Sequence, residues 1–255
     1  MMTRNPCLAH DLYGGTAPRV RDRIPSVTES DALKRAAGEA AAAYVGDGMV
    51  VGLGTGSTAR FAVEAIGRRV QEGLRIVGIP TSERTAEQAR ALGIPLATLG
   101  DYTEIDLTID GADEIEKGTL RLIKGHGGAL LREKMVASAS KRLIIVAEDS
   151  KLVDRLGAKF PVPLEVVPFG WQATERRLKE SGANPALRFV SECLPYVTDG
   201  GHYILDCAFG EMQDPEKVAL QLDRTVGVVE HGLFLAMATE VILGSENGIL
   251  EMSRT

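Results

Sequence analysis

The sequence predicts an α/β protein in which a Rossmann-like parallel sheet carries an inserted, smaller α+β domain. Three observations support this prediction. The chain of 255 residues is long enough for two modest domains. From residue 30 to residue 147, short apolar strands alternate with helical segments of about 10–15 residues, which is typical of a parallel sheet covered on both faces. After Gly157 the chain becomes rich in proline and turn residues.

The alternating part begins with an amphipathic helix. Leu33, Ala37 and Tyr44 recur at helical spacing, and the glycines at 46 and 48 end the segment. The apolar strands that follow are short and uninterrupted, as buried parallel strands are, and a last one is expected to return to the same sheet. The predicted helices span residues 31–45, 59–70, 83–93 and 129–139, and the predicted strands span residues 49–53, 75–79, 105–109, 142–147 and 238–245.

The second part predicts a small domain of the split βαβ, ferredoxin-like type. Its elements occur in the order strand, helix, strand, strand, helix, strand, with Pro215 at the start of the second helix. We expect this domain at residues 160–229, inserted into a Rossmann-like domain made of residues 28–159 and 230–255. Residues 1–27 are rich in Arg, Pro and Gly and are predicted to be a disordered extension.

Composition excludes several classes of partner. The formal net charge of −6 argues against non-specific binding of nucleic acid, which favours a basic surface. No apolar run approaches the roughly 20 residues of a membrane span, so no membrane association is expected. The three cysteines form no CxxC pair, which predicts no structural zinc site and favours a cytoplasmic location.

A glycine-rich turn between the first strand and the second helix is a candidate anion site. The segment VVGLGTGSTA has glycines at 52, 54 and 56, and the small residues allow a ligand to approach backbone N–H groups at a helix N-terminus. Thr55, Ser57 and Thr58 add hydroxyl groups. The spacing differs from the GxGxxG dinucleotide motif, and no GK[ST] follows, which excludes a P-loop. A plain structural turn remains the alternative.

Carboxylates cluster at the end of the third predicted strand. Asp110 ends this strand, and Asp113 and Glu114 lie on the following turn. Ligands of open α/β sheets gather at this edge. The cluster is compatible with Mg²⁺, with acid–base chemistry tuned by crowded charges, or with a solvated acidic turn. Lys124 favours acid–base chemistry, because a cation can replace a metal in stabilising negative charge.

A second glycine-rich loop follows Lys124 and leads into a helix that carries Glu133. Taken alone, Glu133 is a surface carboxylate paired with a neighbouring basic side chain, but its closeness in sequence to the loop makes it a candidate site residue. Lys34 and Lys151 are two further lysines with the same ambiguity between a solvated side chain and a phosphate contact. The loop glycines are Gly125, Gly127 and Gly128, with His126 among them.

Eight motifs follow one another along the chain: VGLGTGSTA, PTSERTAEQA, LTIDGADEI, IKGHGGALLREKMVA, DSKLVDRLG, FPVPLEVVPFGW, TDGGHYILDC and GVVEHGLF. Together they resemble ribose-5-phosphate isomerase of the A type over residues 28–249. The family implies interconversion of D-ribose 5-phosphate and D-ribulose 5-phosphate in the pentose phosphate pathway, without metal or cofactor, by a homodimer or homotetramer that binds a small sugar phosphate.

The resemblance also implies roles for individual residues. Glu133 matches the general base, Asp110 and Asp113 match the paired aspartates, and Lys124 matches the active-site lysine. Thr55, Ser57 and Thr58 match the loop that holds the substrate, and we expect backbone N–H groups of residues 125–128 to stabilise the enediolate together with Lys124. We also expect Asp110 to assist ring opening and relay hydroxyl protons, and Asp113 to position the sugar hydroxyls. Lys34 and Lys151 match the remaining basic contacts, whereas His126 stands where the family usually has glycine.

Two other functions remain open at this point. A sheet edge of this kind also serves as a sugar-phosphate sensor domain in transcription regulators, which carry a DNA-binding helix-turn-helix. A relative of the acyl-CoA transferases would use a glutamate as a nucleophile instead of a base. Isomerase and thioester-exchange assays separate these alternatives.

Overall fold

The structure, a computed structural model, describes residues 28–254. The predicted extension at residues 1–27 lies outside the described residues. The helices are α1 (Glu29–Ala42), α2 (Ala59–Gln71), α3 (Glu83–Ala91), α4 (Leu130–Ser138), α5 (Trp171–Glu180) and α6 (Pro215–Asp223). The strands are β1 (Val50–Leu53), β2 (Val77–Pro80), β3 (Leu107–Gly111), β4 (Glu114–Glu116), β5 (Leu122–Ile123), β6 (Leu143–Glu148), β7 (Leu152–Val153), β8 (Val162–Val166), β9 (Asn184–Leu187), β10 (Phe189–Ser191), β11 (Leu194–Pro195), β12 (Tyr203–Ala208), β13 (Val228–His231), β14 (Leu233–Phe234), β15 (Glu240–Ser245) and β16 (Gly248–Ser253).

Side-chain caps determine where three of the helices begin. Thr28, Ser82 and Asp214 each accept a hydrogen bond from the backbone N–H three residues further on, at the starts of α1, α3 and α6. Such caps satisfy N–H groups that have no partner inside the helix. Within residues 28–254, no helix is both long enough and apolar enough to cross a membrane.

The largest sheet has six strands in the order β2-β1-β3-β6-β15-β16. All neighbouring pairs are parallel except β15 and β16, which form an antiparallel hairpin at one edge. The chain runs from β1 to β2 on one side and then returns to β3 on the other side of β1. This change of direction opens a crevice at the carboxyl ends of β1 and β3, where ligands of α/β sheets bind.

Both faces of this sheet are covered, as the sequence predicts. Along β6, Ile144 and Val146 pack in a core with α1 and α2. Ile145 and Ala147, the alternate residues, belong to a separate core on the opposite face, which includes Ala137 of α4. Because successive side chains of a strand point to opposite faces, the uninterrupted apolar run of β6 follows from burial on both sides. The predicted α/β fold class is confirmed.

The smaller antiparallel sheet has the order β13-β8-β12-β9, with α5 between β8 and β9 and α6 between β12 and β13. This arrangement is the predicted split βαβ type. The hairpin of β10 and β11 is an addition between its second and third main strands. The division of the chain at residues 159/160 and 229/230 stays a prediction, and β13 (Val228–His231) spans the second of these boundaries.

A third sheet, β14-β5-β4-β7, was not predicted from the sequence. Its strands have only two or three residues, which is too short for a periodic pattern to show. This sheet matters for the site because β4 follows Asp113 directly, β5 ends immediately before Lys124, and β7 begins immediately after Lys151. Three candidate site residues are therefore held at its strand ends.

Candidate active site

The site is built around Asp110, the residue near the end of β3 that the sequence singles out. One carboxylate oxygen of Asp110, Oδ1, accepts hydrogen bonds from the N–H groups of Thr55 (3.0 Å) and Gly111 (2.7 Å). A Cβ atom at Gly54 would lie 2.3 Å from this oxygen, so only glycine permits the close approach of the loop after β1. The loop and the carboxylate therefore fix each other.

Lys124 brings the buried charges together. Its Nζ lies 3.0 Å from Oδ2 of Asp110 and 3.3 Å from Oε1 of Glu133, and it donates a hydrogen bond of 2.6 Å to the carbonyl of Gly111. The side chains of Lys124, Asp110 and Glu133 are 1–3% exposed. Ionised side chains at this depth are stable only when they are paired, and here one ammonium group serves two carboxylates.

Burial and charge crowding shift the pKa values of this cluster. Burial and the carboxylates of Asp110 and Asp113 raise the pKa of Glu133 to about 8, despite the opposing effect of Lys124. Burial also raises the pKa of Asp110. Although burial lowers it, the carboxylates of Asp110 and Glu133 hold the pKa of Lys124 above its ordinary value. Lys124 is therefore a permanent cation, and Glu133 exchanges a proton close to neutral pH.

One atom of this cluster has no partner. Oε2 of Glu133 is buried and, among the described residues, has no hydrogen-bond partner. Glu133 lines a cavity of about 270 Å³, which has the polarity of a small-ligand site. A carboxylate oxygen that is buried, unpaired and next to a cavity is available for proton transfer to a bound molecule. The residues that line the cavity are Thr55, Gly56, Ser57, Thr58, Arg84, Gly111, Ala112, Asp113, Lys124, Gly125, Gly127, Glu133 and Lys151.

The sequence-predicted site residues occupy different parts of this cavity. Asp113 lies on the wall, and its Oδ2 accepts a hydrogen bond of 3.0 Å from the N–H of His126. Asp110 lies behind the wall, because its oxygens face Lys124 and the backbone. Gly128 lies outside the lining, with its backbone packed against Tyr196, whose hydroxyl would be 2.1 Å from a Cβ atom at this position.

The loop after β1 offers free backbone donors at a helix N-terminus. The N–H groups of Gly56, Ser57 and Thr58 donate no hydrogen bond to any described residue, and α2 begins immediately after them. The hydroxyl of Thr55 is different, because it is occupied in a buried cluster with Thr81, Ser82 and Thr85 at 2.7–3.0 Å. The backbone of residues 56–58, with the positive end of the α2 dipole, is therefore a candidate anion site, as the sequence predicts.

The sequence predicts Lys34 and Lys151 as phosphate contacts, and only one of these two lysines lines the cavity. Lys151 lines the cavity, and its ammonium group lies 4.7 Å from the ring centre of Phe160. Lys34 is absent from the lining and forms an ion pair of 3.4 Å with Glu148. Arg84 lines the cavity beside the loop after β1, although no pattern in the sequence singles it out. It lies in the PTSERTAEQA motif, but only the fold shows that the start of α3 reaches the edge of the cavity.

His126 is oriented away from the cavity. Its Nε2 lies 3.2 Å from the carbonyl oxygen of Pro161, and its ring makes an edge contact with Phe160 at 4.9 Å between centres. The residue therefore connects the glycine loop to the segment before β8. This contact explains how a bulky side chain is accommodated among the loop glycines.

The third acidic residue of the cluster, Glu114, has a structural role. Its Oε1 accepts hydrogen bonds from the N–H groups of Lys159 and Phe160, and its Oε2 accepts one from Gly157, at 2.6–2.7 Å. These bonds close the turn before β8. Both carboxylate oxygens of Glu114 therefore bond to the backbone, and Glu114 is not one of the residues that line the cavity.

One group of side chains in the described part of the chain has spacing suited to a metal ion, and it lies elsewhere. The group consists of Asp223, Glu230 and His231. Lys134 already supplies a cation there, since its Nζ donates to Oε1 of Glu230 at 2.6 Å and lies 3.3 Å from Nδ1 of His231. We therefore assign no metal to it.

A larger cavity of about 720 Å³ lies against another side of α4 and is mainly apolar. Leu131, Met135 and Val136 contribute to its lining, whereas Asp113, Lys124 and Glu133 do not. Chemistry requires the charged groups and free donors of the smaller cavity, so the smaller cavity is the candidate active site.

Comparison with known proteins gives one consistent result. Residues 77–248 match the family model described as ribose 5-phosphate isomerase A (phosphoriboisomerase A). A ribose-5-phosphate isomerase A from Synechococcus sp. (strain JA-3-3Ab) is 60% identical over 224 residues, which cover 88% of this chain and 97% of that protein. The protein of the same name from Gloeobacter violaceus is 58% identical over 219 residues, covering 86% of this chain and 95% of that protein.

Solved structures agree with the sequence comparisons. The ribose 5-phosphate isomerase A of Methanocaldococcus jannaschii is 37% identical and superposes with a TM-score of 0.84 over 88% of this chain and 100% of that chain. A D-ribose-5-phosphate isomerase solved in complex with phospho-erythronic acid is 36% identical and superposes with a TM-score of 0.85 over 89% of this chain and 100% of that chain.

Proposed function

The chain belongs to the ribose 5-phosphate isomerase A family and interconverts D-ribose 5-phosphate and D-ribulose 5-phosphate, and we propose that the cavity around Lys124 and Glu133 carries out this reaction. The observation that supports this site most directly is the buried, unpaired Oε2 of Glu133 beside the cavity. Its carboxyl has a pKa raised to about 8, which matches a base that must both accept and return a proton.

In this proposal, Glu133 transfers the proton between the two carbon atoms of the reaction. The carboxylate removes the proton from C2 of the open-chain aldose, which produces an enediolate, and then delivers it to C1 to form the ketose. The electron pair of the broken C–H bond moves into the C1–C2 bond, and the carbonyl electrons move to O1. The reverse reaction uses the same steps in the opposite order.

Lys124 stabilises the negative charge that develops on the substrate oxygens. Lys124 lines the cavity, and its ammonium group stays protonated and lies 3.3 Å from Oε1 of Glu133, the proposed base. The N–H of Gly127 is a second donor, because it bonds to no described residue and Gly127 lines the cavity. Preorganised donors of this type stabilise an oxyanion without a metal ion, so we propose a reaction that needs no metal or cofactor.

The two aspartates have separate roles in this proposal. Asp113 is on the cavity wall and therefore contacts the sugar hydroxyls and relays protons between O1 and O2. Asp110 is behind the wall with both oxygens engaged, so it holds Lys124 in its charged form and raises the pKa of Glu133. This division differs from the expectation from the sequence, in which Asp110 assists ring opening and relays hydroxyl protons and Asp113 positions the sugar hydroxyls.

In this proposal, the phosphate group binds where residues 56–58, Arg84 and Lys151 line the cavity. The free N–H groups of residues 56–58 and the N-terminus of α2 provide neutral donors, and Arg84 and Lys151 provide positive charge. We further propose a cytoplasmic homodimer or homotetramer acting in the pentose phosphate pathway. The sequence composition and the resemblance support these last statements.

The test is turnover of ribose 5-phosphate by protein treated with EDTA. We expect unchanged conversion to ribulose 5-phosphate after chelation, because Lys124 occupies the position where a metal would act. Loss of activity on EDTA treatment that Mg²⁺ restores would contradict a metal-free mechanism. Exchange between acyl-CoA thioesters, measured on the same preparation, is expected to be absent.

A further inference from the structure

We propose that Arg188 is a positioning residue that directs the N–H of Gly127 toward the substrate. This inference rests on the proposed function, because it concerns the loop that we expect to stabilise the enediolate. Arg188 lies in the small antiparallel part of the molecule, between β9 and β10, about 60 residues after the loop. Nothing in its sequence surroundings indicates a contact with the active site.

The contacts of Arg188 connect the small antiparallel sheet with the glycine loop of the candidate active site. Its Nη1 donates to the carbonyl oxygens of Gly125 (3.1 Å) and His126 (3.0 Å). Its Nε and Nη2 donate to the two carboxylate oxygens of Asp206 on β12, at 2.9 and 2.5 Å. The side chains of Arg188 and Asp206 are 14% and 21% exposed. Asp206 therefore holds the guanidinium group in a bidentate pair, and the remaining donor reaches the glycine loop.

The geometry of the peptide bond links these contacts to the active site. The described peptide bonds include no cis bond, and in a planar trans peptide the C=O and the following N–H point in opposite directions. With its carbonyl held by Arg188, the His126–Gly127 peptide must direct the Gly127 N–H to the other side. That N–H has no partner among the described residues, and Gly127 lines the cavity.

The preceding peptide, between Gly125 and His126, is held by hydrogen bonds to both its carbonyl and its N–H. This limits how far the neighbouring His126–Gly127 peptide can rotate. The carbonyl of Gly125 bonds to Arg188, and the N–H of His126 bonds to Oδ2 of Asp113. A glycine-rich loop needs such restraint because glycine rotates with little steric cost, and Gly125 and Gly128 already have positive φ values of 106° and 83°. Without Arg188, rotation of one peptide plane would turn the Gly127 N–H away from the substrate.

The variant Arg188→Met tests the proposal, with Arg142→Met as the matched control. Arg142 also forms a bidentate pair with a carboxylate, that of Glu240, but it lies immediately before β6, at the amino end of that strand, and it does not line the cavity. We expect Arg188→Met to lower kcat for ribose 5-phosphate about 10- to 100-fold, because one oxyanion donor loses its orientation, while KM changes less than about threefold. Binding of phospho-erythronic acid, whose carboxylate resembles the enediolate in charge, should weaken by a similar factor. The control variant should retain both values.

A second variant covers the case in which Arg188→Met does not fold. Asp206→Asn leaves the arginine in place but removes its charged partner, and we expect a smaller fall in kcat with an unchanged KM. Wild-type kcat in a folded Arg188 variant, or an increase in KM alone, would overturn the role of Arg188. The wild-type protein in the same assay separates the two proposals, since an inactive wild type would overturn the proposed function itself.

Discussion

Oε1 of Glu133 lies 3.3 Å from Nζ of Lys124, and both side chains are nearly inaccessible to solvent, at 3% and 2% exposure. This pair places a base and an oxyanion-stabilising cation next to the same small cavity. Asp110 completes the group and leaves it with excess negative charge. Burial, together with this charge, raises the pKa of Glu133 although a cation is adjacent. The arrangement supports proton transfer near neutral pH.

Replacement of the base should remove the reaction with little effect on binding. For Glu133→Gln we expect kcat to fall by about 10²- to 10⁴-fold, since a general base typically contributes that much, with a nearly unchanged KM. The measurement is steady-state conversion of ribose 5-phosphate. Glu240→Gln is the matched control, because Glu240 also pairs with a basic side chain but lies outside the cavity. Substantial activity in Glu133→Gln would contradict the assignment of the base.

The rate should increase with pH as Glu133 ionises. Its pKa is raised to about 8, so at lower pH the carboxyl is protonated and cannot accept the proton from C2. We expect kcat/KM to rise between about pH 6 and pH 8, with an apparent pKa that belongs to the whole coupled cluster. Asp113→Asn should shift this rise to lower pH, because the charge of Asp113 raises the pKa of Glu133. A profile that is flat from about pH 6 to pH 9, with chemistry limiting the rate, would contradict the prediction.

The same raised pKa predicts how folding stability depends on pH. The carboxyl of Glu133 binds its proton more tightly in the folded state than in the unfolded state, where its pKa has the ordinary value of 4.5. Its contribution to stability is therefore complete below about pH 4.5 and is lost as the pH rises through about 8.

Thermal unfolding of Glu133→Gln provides the measurement for this effect. The wild-type Tm should fall between about pH 6 and pH 9 by several degrees more than the Tm of Glu133→Gln, since each kcal/mol corresponds to about 2–4 °C at this size. Glu240→Gln should follow the wild-type curve. Parallel curves for wild type and Glu133→Gln would show that Glu133 is already ionised at the lower end of this range.

The sequence predicts the scaffold and most of the residues that line the candidate site, because both depend on local patterns. The sheet, the glycine turn after β1 and the placement of Asp110 at a strand end follow from strand periodicity and the rule for α/β sheet edges. The separate positions of Asp110 and Asp113, one behind the cavity wall and one on it, depend on the two-residue strands of the third sheet. Such strands carry too little sequence signal to predict.

Long-range side-chain contacts are a second feature that the sequence does not predict. Arg188 reaches the glycine loop from the segment between β9 and β10, and the partner of Lys34, Glu148, lies more than 100 residues away in the chain. An arginine or lysine in a sequence gives no indication of which distant carbonyl or carboxylate it meets. Such contacts are visible only when the fold is known.

We expect Arg84 to contribute to recognition of the substrate's phosphate group. It lines the cavity beside residues 56–58 and forms no ion pair with any described residue, so its charge is available to a ligand. A charge-assisted hydrogen bond to phosphate contributes about 1.5–3 kcal/mol, less where solvent has access. For Arg84→Met we expect KM for ribose 5-phosphate to rise about 5- to 30-fold with kcat nearly unchanged.

Arg90→Met is the control for the Arg84 variant, because Arg90 is exposed on the same helix but borders the larger apolar cavity. It should leave KM unchanged. Higher ionic strength should reduce the difference in KM between wild type and Arg84→Met, since an exposed cation is screened by salt. If Arg84→Met lowered kcat and left KM unaltered, Arg84 would act on the reacting end of the sugar, and the phosphate would be bound by Lys151 and the backbone of residues 56–58 without it.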